Sequence, residues 1–321
     1  MKRITYKPPT QQERIRGCGY STLEQTPTEY QPYTDCFVSL PTPTKDDDWL
    51  VEHKEKRQSY AMWQRDWREI CSVIGMNKLT NNRRDSIKIY LQPIGVISSD
   101  FVTGLREFVS VYYPGVVVVV NTPLIIDGDT ISSNTISSIQ LVTRKRPHKQ
   151  YKIESLLSVL SSMKQKDAFC LVGITMEDLY IDNTTEYTVG LADHATNTAV
   201  FSFMRYLSDI NKNKKTITSI ESSKERLLLR RCCKVIIHEI AHLFGISHCV
   251  WYSCCMNGSG HLEEDYNRPL HMCVVCLRKV VVVIACGVLE RYKGLLVYYK
   301  KNGFVEEERW CNRIIEHIQD V

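Results

Sequence analysis

His238, Glu239 and His242 fall within five consecutive residues, and Gly245 and His248 extend the group to an eleven-residue run. Histidines four apart share one face of a helix, so both imidazoles can reach one ion. Glu239 stands one step round, close enough to touch a metal-bound water without displacing it. A glycine three residues after His242 suits the left-handed turn that ends a helix. The chain can then double back and offer His248 as a third nitrogen ligand. Three protein ligands leave a fourth position for water, the mark of a catalytic rather than a structural zinc site. Zinc lowers the pKa of such a water to about 7 and polarises a scissile carbonyl. Glu239, as general base, would take the water's proton and pass it to the departing amine. At this chain's own residue frequencies the pattern arises by chance on the order of 10⁻⁵ times per chain of this length. Histidines that merely pack or cap a helix end explain it poorly.

A second group begins one residue later. Cys249, Cys254, Cys273 and Cys276 form a C-x4-C, an 18-residue gap and a C-x2-C. Four thiolates so spaced make a closed tetrahedral zinc site, structural rather than catalytic. The pair Cys273 and Cys276 is the stronger half of the signal. Cys255, His261 and His271 compete as ligands, and the x4 spacing favours Cys254 over Cys255. The expected cofactor is therefore Zn2+, two per chain, one catalytic and one structural. Because His248 and Cys249 are adjacent, the two metals should lie within roughly 15 Å, given about 3.8 Å between successive Cα atoms and a side-chain reach of several Å. The four-cysteine site is thus expected to pin the backbone that carries His248.

These residues need a scaffold. Glu225 to Phe244 shows the best helical spacing in the chain, with Cys232, Cys233, Ile236, Ile237, Ile240, Leu243 and Phe244 recurring at i, i+3 and i+4, so this helix should be largely buried. Upstream, Ile87 to Ile94 alternates like a strand, Asp100 to Tyr113 is spaced like a helix, and Val116 to Val120 reads as a strand buried on both faces. A helix at Tyr151 to Met163 and a strand at Ala168 to Thr175 follow, which implies a mixed sheet with crossover helices. Tyr187 to Ala192 and Ala199 to Tyr206 read as two strands joined by a polar turn, and Ser208 to Ser223 as a mobile loop. Two helices are expected beyond Cys276, at roughly 277–299 and 305–319. Residues 1–84 read as a partly ordered N-terminal extension, rich in Pro, Thr, Gln and charge, with one helix near 55–75. Residues 85–321 would form the catalytic domain.

The run His238-Glu239-x-x-His242-x-x-Gly245-x-x-His248 resembles the metzincin metallopeptidases. With Cys249, Cys254, Met256 and Cys273-x-x-Cys276 added, it is similar to the archaemetzincins of the archaelysin family, over 39 residues. Weaker likeness extends from about Ile87 and includes Asp167 to Thr175 and Gly258 to Glu264. The resemblance implies an α+β, metzincin-like fold: a twisted mixed sheet with backing helices, an active-site helix and a small C-terminal subdomain. It implies that Met256 is the Met-turn residue beneath the catalytic zinc; by its own chemistry Met256 is only an apolar filler with a soft sulfur. It further implies substrate lying along an antiparallel edge strand, for which Tyr187 to Ala192 is the candidate, and activity on short peptides.

Bulk properties agree. Hydrophobic content of 43%, charged content of 24% and a net charge of +5 are those of an ordinary globular chain. The basic clusters Arg144 to Lys149 and Lys212 to Lys215 sit in polar stretches, so no nucleic-acid partner is expected. A zinc-ribbon-like adaptor is likewise disfavoured, because Glu263, Glu264 and Asp265 balance Arg268, Arg278 and Lys279. A non-catalytic zinc-binding interaction protein is the alternative to a peptidase, and the presence of Glu239 argues against it. The longest apolar run, Val280 to Leu289, is too short to span a bilayer, and no signal peptide is evident. Thirteen cysteines without an export signal point to reduced or metal-bound thiols. The expectation is an intracellular, cytoplasmic or nuclear, monomeric zinc peptidase with peptide or protein substrates and no membrane partner.

Overall fold

A computed structural model describes residues 6–73, 87–210, 222–284 and 286–319. Its described residues divide into two units, one within Met1–Asn82, Val111–Pro114 and Phe244–Val321, the other within Arg83–Ser110 and Gly115–Leu243.

The second of these is built on a five-stranded sheet of β1 (Lys88–Ile94), β2 (Val117–Val120), β3 (Cys170–Thr175), β4 (Gly190–Asp193) and β5 (Thr198–Ser202), in the order β4-β5-β3-β1-β2. β1 runs parallel to β2 and β3, β5 runs parallel to β3, and β4 is antiparallel to β5. Parallel neighbours need a crossover, supplied between β1 and β2 by the helix Ser99–Tyr112 and between β2 and β3 in part by the helix Ile153–Met163. Leu156 and Leu160 of the latter join Ile94, Leu171 and Val200 in one buried cluster. Glycine at position 173 lets that helix sit close, since a Cβ there would come 2.8 Å from Leu160 Cδ1. The architecture is α+β, as expected.

Several local readings hold and some do not. β4 is the antiparallel end strand of the sheet, displaced toward the C-terminus from the expected Tyr187 to Ala192. The valine run is a strand, but it lies at the opposite end of the sheet rather than inside it, with Val117 41% and Val120 36% exposed. A parallel strand is buried on both faces only when neighbours flank it, and β2 pairs with β1 alone among the described residues. The expected strand from Ala199 ends at Ser202, and a helix begins at Met204. Most of the stretch Ser208 to Ser223 lies outside the described residues.

The long helix runs Ser223–Leu243, and Leu229, Cys232, Cys233, Ile236, Ile237, Ile240 and Leu243 are all buried. It packs on β4 and β5.

The other unit is mainly helical. A capping box at Thr10 and Glu13 starts the helix Gln11–Cys18. The helix Tyr60–Val73 carries Trp63, which is fully buried. After Phe244 come Leu262–Asn267, Val274–Ile284, Val288–Asn302 and Val305–Gln319. The single helix expected at 277–299 is therefore two, with Gly287 as the N-cap residue of the second.

Candidate metal centres

The four expected cysteine ligands meet in one place. The sulfurs of Cys249, Cys254, Cys273 and Cys276 all lie within 4.8 Å of one another, and every one of the four residues is buried. Cys249 and Cys273 are 3.6 Å apart at sulfur. A tetrahedral zinc with about 2.3 Å bonds sets its sulfurs about 3.8 Å apart, so the spacing of the cluster is compatible with that ion.

Two short segments deliver these sulfurs. Cys273 and Cys276 bracket the start of the helix Val274–Ile284, where the Cys273 carbonyl accepts the Leu277 N–H at 2.8 Å. A helix start presents amide N–H groups and a positive dipole end, both of which favour thiolate. Cys249 and Cys254 come from a loop closed by the Cys249 N–H donating to the Met256 carbonyl at 2.7 Å. Asn257, buried, holds that loop from within. Its Oδ1 accepts the Cys254 N–H at 2.7 Å, and its Nδ2 donates to the carbonyls of Cys249 at 2.7 Å and Tyr252 at 2.9 Å. Backbone N–H groups also point at sulfur: Trp251 toward Cys249 at 3.4 Å, and Met256 and Cys273 toward Cys254 at 3.5 and 3.2 Å. Burial opposes ionisation of Cys249, Cys254 and Cys273. It pushes Cys254 and Cys273 up, whereas hydrogen bonds from Cys254, Cys273 and Cys276 outweigh it at Cys249 and hold that thiol well below the usual range.

The competing candidates are placed elsewhere. Cys255 Sγ lies 3.6 Å from the Tyr112 hydroxyl. His261 Nε2 is 3.1 Å from Asp48 Oδ1, and its Nδ1 accepts the Glu264 N–H at 3.2 Å, a helix N-cap role. His271 stacks face to face on Trp310, with ring centroids 3.9 Å apart. Met256 is fully buried in the loop between the two cysteine pairs.

His238 and His242 lie one turn apart in the last part of the long helix, with their Nε2 atoms 3.0 Å apart and their rings nearly perpendicular at 87°. Zinc–nitrogen bonds of about 2.0–2.1 Å at tetrahedral angles put two ligating nitrogens about 3.4 Å apart, so the pair is arranged as two donors aimed at a common point. His238 is buried, and Glu239 and His242 are half-buried. The helix stops at Leu243, and Gly245 adopts φ +75°, the left-handed conformation expected of it.

In the other unit, His248 Nδ1 lies 2.7 Å from Glu55 Oε1. A carboxylate oxygen only accepts, so His248 Nδ1 is the donor of this bond. Glu55 also accepts the Trp49 indole N–H at 2.7 Å. Burial would raise the Glu55 carboxyl, but the hydrogen bonds from His248 and Trp49 prevail and hold it below the usual range. Neither Glu55 nor Asn257 follows from the sequence reading. A ligating histidine does call for an acceptor on its second nitrogen, but nothing in spacing says which carboxylate provides it.

The family model for Peptidase family M54 matches residues 87–281. Archaemetzincin-2 of Macaca fascicularis is 32% identical over 293 residues, covering 83% of this chain and 76% of that protein. Archaemetzincin-2 of Homo sapiens is 33% identical over the same length and coverage. Among solved structures, the archaemetzincin of Methanopyrus kandleri is similar at 23% identity and a TM-score of 0.47, over 64% of this chain and 99% of that one. The family model and the archaemetzincin-2 relatives define the class as zinc metallopeptidase, a hydrolase whose substrates are peptides or proteins. The chain belongs to peptidase family M54, the archaemetzincins. No described helix is long and apolar enough to cross a membrane.

Proposed function

We propose that the chain hydrolyses short peptides at a zinc held by His238, His242 and His248, with Glu239 as general base. Cys249, Cys254, Cys273 and Cys276 hold a second, structural zinc, and residues 85–321 carry the catalytic machinery. The observation that carries this reading is the pair of imidazole nitrogens 3.0 Å apart on a buried helix, with a half-buried carboxylate between them in sequence. Support for the third ligand comes from the glycine that turns the chain after the helix and from the engagement of His248 Nδ1 by Glu55, which makes Nε2 the nitrogen to present to a metal.

When bound, zinc supplies Lewis acidity toward the scissile carbonyl and makes a coordinated water easier to deprotonate. The protein's part is then proton handling and orientation. Glu239, one residue from the first ligand, receives the proton of the attacking water and delivers it to the leaving amine. β4, the antiparallel end strand of the sheet, offers main-chain groups to an extended substrate. Met256 serves as the Met-turn residue, a buried apolar support.

The test compares wild type with Glu239→Gln for zinc content and for digestion of a peptide library graded in length. The expected result is two zinc equivalents in both proteins, with cleavage of the shorter members by wild type alone. Cleavage at equal rates would remove Glu239 from the mechanism, and a preference for folded proteins would remove short peptides as the substrates.

A further inference from the structure

The segment from Trp49 to Trp63 lies wholly outside the residues that the family model matches, yet it takes up the polar groups of the chain from Phe244 to His248. The Trp63 indole N–H donates to the Phe244 carbonyl at 2.9 Å. Gln58 donates through Nε2 to the Gly245 carbonyl at 2.9 Å and accepts the Ser247 N–H through Oε1 at 3.1 Å. The same Oε1 accepts from the buried Lys279 ammonium at 2.9 Å, on the helix that also carries Cys276. Glu55 then receives the side chain of His248 itself. Its side chain is 17% exposed and that of His248 is 21% exposed, so little water competes for the bond. The Trp49 ring packs against His248 in a T-shaped arrangement, with centroids 4.9 Å apart.

We propose that Glu55 is a positioning residue for the catalytic zinc, fixing the tautomer and orientation of His248 so that Nε2 is presented to the metal. This rests on the reading of His248 as a zinc ligand. An imidazole that is free to rotate, or to carry its proton on Nε2, must give up that freedom on binding metal. A carboxylate on Nδ1 removes the cost beforehand and makes Nε2 a stronger donor. The loss of such a partner lowers metal affinity by about 10–100-fold.

The experiment measures zinc retained per chain at a series of chelator-buffered free zinc concentrations, for full-length wild type, Glu55→Ala, Glu55→Gln and His248→Ala. Thermal unfolding of each at saturating zinc serves as the folding control. In Glu55→Ala the weaker of the two zinc equivalents should bind about 10–100-fold less tightly while the four-cysteine equivalent is unchanged. Glu55→Gln, which keeps an acceptor oxygen but not the charge, should fall between that variant and wild type, and it decides the matter if Glu55→Ala does not fold. Wild-type affinity in both Glu55 variants, with the equivalent lost in His248→Ala, would overturn the proposal and leave the active-site reading standing. Retention of both equivalents by His248→Ala would overturn the active-site reading itself, and the role of Glu55 with it.

Discussion

The backbone N–H of Cys249 donates to the carbonyl of Met256 at 2.7 Å, which closes the loop that delivers two of the four cysteine sulfurs. The residue before Cys249 is His248, so whatever fixes this loop also fixes the backbone of the proposed third ligand of the catalytic zinc. Gln58 adds a second tie, since it joins the Cys276-bearing helix, through Lys279, to Gly245 and Ser247.

Cys276→Ser therefore tests the coupling of the two proposed metal centres without touching a histidine. Metal binding at such sites is folding free energy for the segments involved. The variant should lose the four-cysteine zinc, and zinc at the histidines should weaken by at least tenfold, read by atomic absorption at buffered free zinc. Full occupancy of the histidine site and unchanged peptidase activity would show that the loop stands without its metal.

Gly245→Ala puts a side chain where φ is +75°. A residue with a Cβ in this conformation costs about 1–2 kcal/mol. The added methyl would also meet Ile70 Cδ1 at 2.7 Å, the end of a side chain that can move aside, so backbone strain should dominate. The melting temperature should fall by several degrees, and activity should fall with it because the turn leads to His248. A variant as stable as wild type would mean the turn can be remade with a different φ.

How much of this was legible in the sequence follows from the range of the interactions involved. The long helix and its histidines could be read because i, i+3, i+4 spacing is a local signal, and Gly245 because a helix must stop before the chain can return. Cys273 and Cys276 were legible because a C-x2-C pair is itself a local metal-ligand spacing. The valines of β2 misled because their composition reports a preference for strand, whereas burial depends on how many neighbours the sheet supplies. Val280 to Leu289 ran two helices together because it is apolar throughout, with only Gly287 to mark the break. Glu55 and Asn257 could not be found at all. One acts 193 positions away in sequence, and the other closes a loop by three side-chain bonds that no periodicity encodes.

His271 gives the fold a pH dependence of definite sign. Burial, and secondarily the charges of Arg291 and Arg313, push its imidazole down to about 3. The unfolded chain takes up a proton on this group near pH 6.5, and the folded chain does so only near 3. Stability from keeping it neutral is thus complete above the unfolded value and is lost as pH falls from about 6.5 toward 3. His271→Phe keeps an aromatic ring on Trp310 and removes the titration. The drop in melting temperature between pH 7 and pH 4 should be smaller in this variant than in wild type. Identical drops would mean that His271 is protonated in the folded protein without penalty.

Asn257 makes the sharpest demand on local chemistry, because its amide uses both ends. Asn257→Ala leaves the Cys254 N–H and the carbonyls of Cys249 and Tyr252 buried without this partner. At about 1–3 kcal/mol for each group left unsatisfied, the loss should be on the order of 3 kcal/mol once neighbours relax. Asn257→Asp separates the two ends. It keeps the acceptor for the Cys254 N–H but sets a carboxylate oxygen against two carbonyl oxygens, and beside a cluster of thiolates. It should therefore be at least as damaging as alanine, despite its nearly identical shape. Both variants should release the four-cysteine zinc to a chelator at lower concentration than wild type does, and both should melt earlier. If Asn257→Asp held its zinc as tightly as wild type, the two donated bonds from Nδ2 would not be what keeps Cys249 and Cys254 in register.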